Sequence, residues 1–307
     1  MSQASHTDTG SSPQTFAVGL AVFSAILWGL WWLPIRALED AGLGGAWAGL
    51  AMAIGTLPAL LIAVVITRGE SQMTARSIAG AFLVGLAVTL YATSLTFTDV
   101  VRAVLIFYLA PAWSTIIECV FLGRKWNWRS ALALLLSFGG LLFVMRGEIS
   151  LNGLNIGDLM ALGSGLSWSI GAALIFTAPP VSSTRLALFT GIGAIIAGSS
   201  LLFVAGDTAG TLAANINIVE TALPAILSGC LYLAPILFLT MWSARRLPPA
   251  TMSFILTAEI LSGVISAALL LDETFGWPEA IGCLLIVLGA AVEVIKPIHL
   301  RVRKRRL

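Results

Sequence analysis

The chain has 307 residues, of which 58% are hydrophobic and only 10% charged, and its formal net charge is +2. A soluble domain of this size needs far more charged surface, so the composition excludes one and places the chain in a membrane. The small positive balance makes no case for nucleic acid: the basic residues sit in short connections and in one tail, Arg301 to Arg306, which suits an anionic lipid leaflet.

Residues 1–15 are polar and rich in Ser and Thr, without the basic start of a cleaved signal peptide, and read as a short disordered lead. After them come apolar runs of about twenty residues, the length that crosses a bilayer as a helix. Ten such spans are expected, over 16–38, 44–66, 77–98, 102–122, 130–146, 157–177, 185–205, 220–243, 250–271 and 278–296. The connections are short except for the polar segment 206–219, so no soluble domain is inserted, and residues 297–307 form a basic tail.

The first span carries Trp28 about a dozen residues in, and Pro34, read as a bend. The fourth opens at Arg102, beside Asp99, where a surface pair and a gate for anionic groups are both open readings. Further along it, Tyr108, Pro111, Ser114, Thr115 and Glu118 recur at helical spacing and make a polar, broken stripe on an apolar cylinder. Such a stripe belongs against other helices or a water-filled cavity, not lipid. Trp113 lies on the same span, and Glu118, six residues before Arg124, is expected to pair with the basic cluster Arg124-Lys125. Gly139-Gly140 in the fifth span read as close helix contacts. The sixth span carries Trp168.

In the ninth span Glu259 is the most deeply placed ionisable residue, with Ser262, Gly263 and Ser266 continuing its face. It is read either as a structural carboxylate or as a group for substrate binding or proton coupling. Trp28, Tyr108, Trp113 and Trp168 form a candidate aromatic lining that would stack on planar ligands or hold amines by their faces, with core packing as the alternative.

Two internal matches suggest duplication. Ala21, Ser24 and Trp28 recur 140 residues on as Ala161, Ser164 and Trp168, and Leu122, Trp128, Ala131 and Gly140 recur 149 residues on as Leu271, Trp277, Ala280 and Gly289. With five spans per copy, the second copy must enter the membrane from the opposite side, giving an all-α integral membrane protein of ten transmembrane helices in two inverted five-helix repeats, 16–146 and 157–296. In this register Ala110-Pro111 faces Glu259-Ile260, each about nine residues into its span and so near the bilayer midplane at about 1.5 Å per residue.

Of the seventeen Lys and Arg residues, fourteen fall on one side of that alternation. Only Arg36, Arg102 and Arg146 fall on the other, which places both termini in the cytoplasm and the chain in the inner membrane. Cys119, Cys230 and Cys283 lie apart in apolar runs and both histidines are in the tails, so no metal, cofactor or disulfide is expected.

The mid-span Leu109-Ala110-Pro111, Phe121-Leu122-Gly123 and Leu271-Asp272-Glu273, set in two five-span copies, resemble the drug/metabolite transporter superfamily and its EamA-like members over residues 16–296. That resemblance implies a secondary transporter of a small polar metabolite such as an amino acid or amine, often an exporter, with a central cavity between the halves. Arg124 stands where an acidic residue usually follows Leu-Gly, and Ile260 where proline often follows the glutamate, which argues against symmetrical gating. An importer on the same fold and a non-transporting scaffold or receptor are the alternatives. No phosphate-binding loop, His-x-x-x-Asp pair, aspartates paired on adjacent spans, or nucleophile with an adjacent base points to an enzyme.

Overall fold

The structure, a computed structural model, describes residues 13–67, 73–98, 103, 106–144, 155–214, 216–270 and 276–294. Arg102, Asp99 and the basic tail lie outside the described residues.

Apart from one isolated bridge, Leu43 to Leu212, the regular structure of the described residues is helical. The helices are α1 Pro13–Gly29, α2 Trp32–Asp40, α3 Ala46–Ile66, α4 Ala75–Phe97, α5 Ala110–Phe121 and α6 Trp128–Val144. They continue with α7 Ile156–Thr177, α8 Ser183–Ala205, α9 Ile218–Ser228, α10 Ala234–Ala244, α11 Pro249–Leu256, α12 Glu259–Leu270 and α13 Trp277–Val294. Among the described residues, seven stretches are long and apolar enough to cross a membrane: Gln14–Asp40, Ala46–Ile66, Ala75–Ser94, Ile156–Thr177, Ser183–Ala209, Val219–Ala244 and Trp277–Val294. α5 and α6 are apolar but shorter. The protein is a multi-pass membrane protein.

Several expected spans are interrupted, and the chain explains most of the interruptions. α1 gives way to α2 at Leu30–Trp31: Pro34 has no N–H for the Leu30 carbonyl, which accepts instead from Leu33 N at 3.1 Å. α9 joins α10 through a π turn, Gly229–Leu233, where Ala234 N–H reaches back to the Gly229 carbonyl just before Pro235. α5 starts after a turn at Tyr108–Leu109, with Pro111 in its first turn. α11 and α12 are separated by a turn at Thr257–Ala258, with no proline nearby.

The surface is inverted relative to a water-soluble protein. Large apolar side chains such as Phe203 (91% exposed) and Leu135 (73%) face outward, while Ser24, Ser164 and Thr190 are fully buried. Without a hydrophobic driving force between helices in lipid, close backbone approach and interhelical hydrogen bonds hold the bundle, and small residues permit both.

The glycine contacts carry the duplication into three dimensions. A Cβ on Gly140 of α6 would meet the Gly282 carbonyl of α13, and one on Gly289 of α13 would meet the Ala133 carbonyl of α6. Gly140 and Gly289 are 149 residues apart, as are Ala133 and Gly282, so each contact is the other's copy. A two-fold relation generates contacts of this self-complementary kind. The helix breaks obey the same step: Tyr108–Leu109 and Thr257–Ala258 also differ by 149.

Candidate functional site

Glu259 is the first residue of α12, immediately after the break, and is 8% exposed. A carboxylate in a helix's first turn is favoured by the unpaired N–H groups there. Tyr91 of α4 and Tyr108, at the break before α5, direct their phenols at this carboxyl. The Tyr108 hydroxyl lies within electrostatic reach but short of good hydrogen-bond geometry, and no other group takes it up. Phe107 packs on Tyr91, ring centroids 4.6 Å apart, and fixes that ring. α1 closes the other side: Gly29 lies against the Glu259 carbonyl and the Ser262 hydroxyl, where any side chain would collide. The second helix break therefore sits against the first, with a carboxyl and two phenols between them.

The other candidates are placed as follows. Pro111 is buried in the first turn of α5. Trp168 is 5% exposed, and its Nε1 donates to Ser253 Oγ at 3.0 Å, which in turn hydrogen-bonds Ser114 Oγ at 2.8 Å. That chain ties α7, α11 and α5 together. Trp28 is half-buried, donates from Nε1 to Thr240 Oγ1 of α10 at 3.0 Å and packs edge-on against Trp31 at 5.1 Å. Trp113 is half-buried, with its Nε1 buried and without a partner. Arg102, the candidate gate, lies outside the described residues. Glu259 and Tyr108 are thus brought together, whereas the two tryptophans are engaged with separate hydroxyls.

Two participants were not singled out by the sequence reading. Tyr91 sits in α4 among the small hydroxyl residues Thr89, Thr93 and Ser94, and Tyr232 of the π turn donates its hydroxyl to the Leu27 carbonyl at the end of α1. A compositional hint was present: the chain has only three tyrosines, and all three converge on the interrupted segments.

A second polar assembly lies at one end of the bundle. Glu118 Oε2 accepts from Arg124 at 2.7 Å, and Arg124 also donates to Glu293 Oε1 of α13 at 2.5 Å. Glu118 Oε1 accepts the backbone N–H of Ala250 at 2.6 Å and so caps α11. Ser130 of α6 donates to Glu293 Oε2 at 3.1 Å. The expected pairing of Glu118 with Arg124 is present, within a larger network that joins the loop before α6 to α11 and α13.

The sequence pattern of the EamA-like transporter family matches residues 15–146 and again residues 155–294. The chain belongs to the EamA-like transporter family. Its two matched segments are the two copies seen in the glycine contacts, and both polar assemblies draw on both segments: Tyr91 and Tyr108 with Glu259, Glu118 and Arg124 with Glu293 and Ala250. One solved crystal structure of a protein is similar with a TM-score of 0.67 at 18% identity, over 90% of this chain and 97% of that one, a likeness of fold. No curated protein matches. As a member of this family the protein is a membrane transporter handling a small molecule.

Proposed function

We propose that the protein is a secondary transporter of a small polar metabolite, an amino acid, amine or related compound. It works by alternating access across the inner membrane through ten spans, with Glu259 as the group that takes up and releases a proton. The observation that carries this reading is the meeting of one buried carboxyl with two phenols where interrupted helices of the two copies touch. Buried ionisable groups within membrane helices mark substrate and proton routes, and no enzymatic step is part of the proposal. Export is the direction carried over from the resemblance. The Arg124 network fits a closed end of the pathway, since it bonds the two copies to each other.

Glu259→Gln keeps the shape and removes titration. In sealed vesicles loaded with candidate amino acids, amines and organic acids, this variant is expected to retain substrate exchange and lose accumulation driven by a pH gradient. Unchanged uphill transport in Glu259→Gln would leave Glu259 a structural residue and refute the coupling.

A further inference from the structure

Among the described residues, two adjacent arginines just after α10 have no acidic partner. Arg124 is spent on Glu118 and Glu293, and Arg129 donates to the Val292 carbonyl at 2.7 Å. Arg245 and Arg246 make no ion pair there, and the half-buried Arg245 makes no side-chain hydrogen bond either. Burial and the like charge of Arg246 hold the Arg245 pKa below its usual value, and no carboxylate works against them. Two neighbouring cations, partly out of water and uncompensated, carry a cost that an anion would remove.

Arg246 is held in place rather than loose. Its guanidinium lies over the Trp242 ring, 3.5 Å from the centroid, and Nη1 donates to the Trp242 carbonyl at 2.8 Å. Trp242 in turn meets Phe16 of α1 edge-on at 5.5 Å. Stacking fixes the plane of the fork and leaves its other N–H donors unspent, an arrangement that suits a phosphate.

The level of this ladder is that of the membrane surface. The apolar stretch Val219–Ala244 ends just before Arg245, and basic residues in short loops mark the cytoplasmic side. From the ladder an outward face of α1 runs into the membrane: Phe16, Gly19, Phe23 and Ile26 are exposed and follow one another at helical spacing. A Cβ on Gly19 would meet nothing within 4 Å, so the face is notched between the two phenylalanines. From Phe16 to Ile26 the helix rises about 15 Å, the depth of one leaflet's hydrocarbon.

We propose that Arg245 and Arg246 form a binding site for the phosphate of an anionic phospholipid of the cytoplasmic leaflet, with an acyl chain along the notched face of α1. The phosphate accepts from both guanidiniums and supplies the counter-charge that the protein does not. The apolar face decides for a lipid over a soluble phosphate, since a free anion gains nothing from Phe16, Gly19 and Phe23. A lipid seated this way bridges the cytoplasmic halves of α1 and α10, the two helices whose interruptions the Tyr232 hydroxyl joins.

The test uses the full-length protein in nanodiscs of phosphatidylcholine, with and without phosphatidylglycerol, read as thermal midpoints. A ligand that binds the folded state stabilises it, so phosphatidylglycerol is expected to raise the wild-type midpoint. The paired variant Arg245→Gln/Arg246→Gln is expected to lose most of that rise. Lys125→Gln is the control, because Lys125 is exposed beside the exposed Trp126 and Trp128 and its loss removes a cation from the same surface. It should keep the rise; a loss per charge equal to that of the pair would reduce the effect to the leaflet's general field and overturn the site. Inorganic phosphate added to pure phosphatidylcholine discs is expected to leave the midpoint unchanged, and a rise matching that from phosphatidylglycerol would replace the lipid with a soluble anion. Should the pair not fold, Arg246→Gln, which loses only a bond within its own helix, decides alone. None of these readouts involves transport, so they stand or fall separately from the result for Glu259→Gln.

Discussion

At the scale of single residues, the most exacting contacts belong to Arg124. It serves two carboxylates that are almost fully buried, Glu118 and Glu293, with side chains 5% and 4% exposed. Breaking a buried ion pair by removing one partner costs about 3–5 kcal/mol, since the remaining charge is left without compensation. Arg124→Ala is therefore expected to destabilise strongly, seen as a large drop in thermal midpoint in detergent. Glu118→Gln added to it should restore part of the loss by removing one stranded charge while keeping an oxygen to cap Ala250. Equal midpoints for the single and double variants would show that charge compensation is not what Arg124 supplies. The pairing of Glu118 was legible because six residues along one chain carry it. The share taken by Glu293 was not, because 169 residues separate it from Arg124 and only the fold brings them together. Tyr91 was hidden for a different reason: its neighbours at helical spacing, Ser94 and Thr98, carry small hydroxyls of the kind that a helix satisfies on its own backbone, so they do not mark a site.

At the scale of elements, adjacent glycines in α6 separate packing from propensity. A Cβ on Gly139 meets nothing within 4 Å, whereas one on Gly140 runs into the α13 backbone at Gly282 and Ile286. Gly139→Ala should leave the thermal midpoint unchanged or slightly raised, while Gly140→Ala should lower it, because backbone on both sides of the contact cannot yield. Similar losses from both variants would mean that α6 and α13 do not pack as described. The duplicated glycines were legible in the sequence, but which of the adjacent pair makes the contact, and with which helix, was not, because the partners Gly282 and Ile286 lie 142 and 146 residues away. The interruptions were legible only where proline marks them: Pro111 and Pro34 signal breaks close to where they occur. The turn at Thr257–Ala258 carries no such residue, and the ninth expected span reads as continuous. It is legible in retrospect through the first copy, whose broken fourth span lies 149 residues earlier.

At the scale of the whole molecule, the contacts between connections sort the chain ends. Phe16 packs on Trp242 at 5.5 Å, so α1 begins where α10 ends, next to Arg245 and Arg246. Glu293, near the end of α13, reaches Arg124, and Arg129 donates to the Val292 carbonyl at 2.7 Å. Glu118, bonded to the same Arg124, caps α11, whose first residue follows Arg246 within a few positions. The beginning of α1 and the end of α13 therefore lie at one end of the bundle, together with Arg124, Lys125, Arg129, Arg245 and Arg246. The Leu43–Leu212 bridge joins two connections that follow segments running away from that end, and Arg36 is the basic residue nearest them in sequence. Basic residues in short loops stay in the cytoplasm during insertion, so the crowded end should be cytoplasmic, and a chain that starts and finishes there crosses an even number of times. Reporter fusions after Arg76, Arg129 and Arg246 are expected to report cytoplasm, and fusions near Asp99, Glu148 and Asn215 to report periplasm. A single reversal within that alternation would break the ten-span count and the inverted relation of the copies at once, and with them the placing of Glu259 at the middle of the membrane.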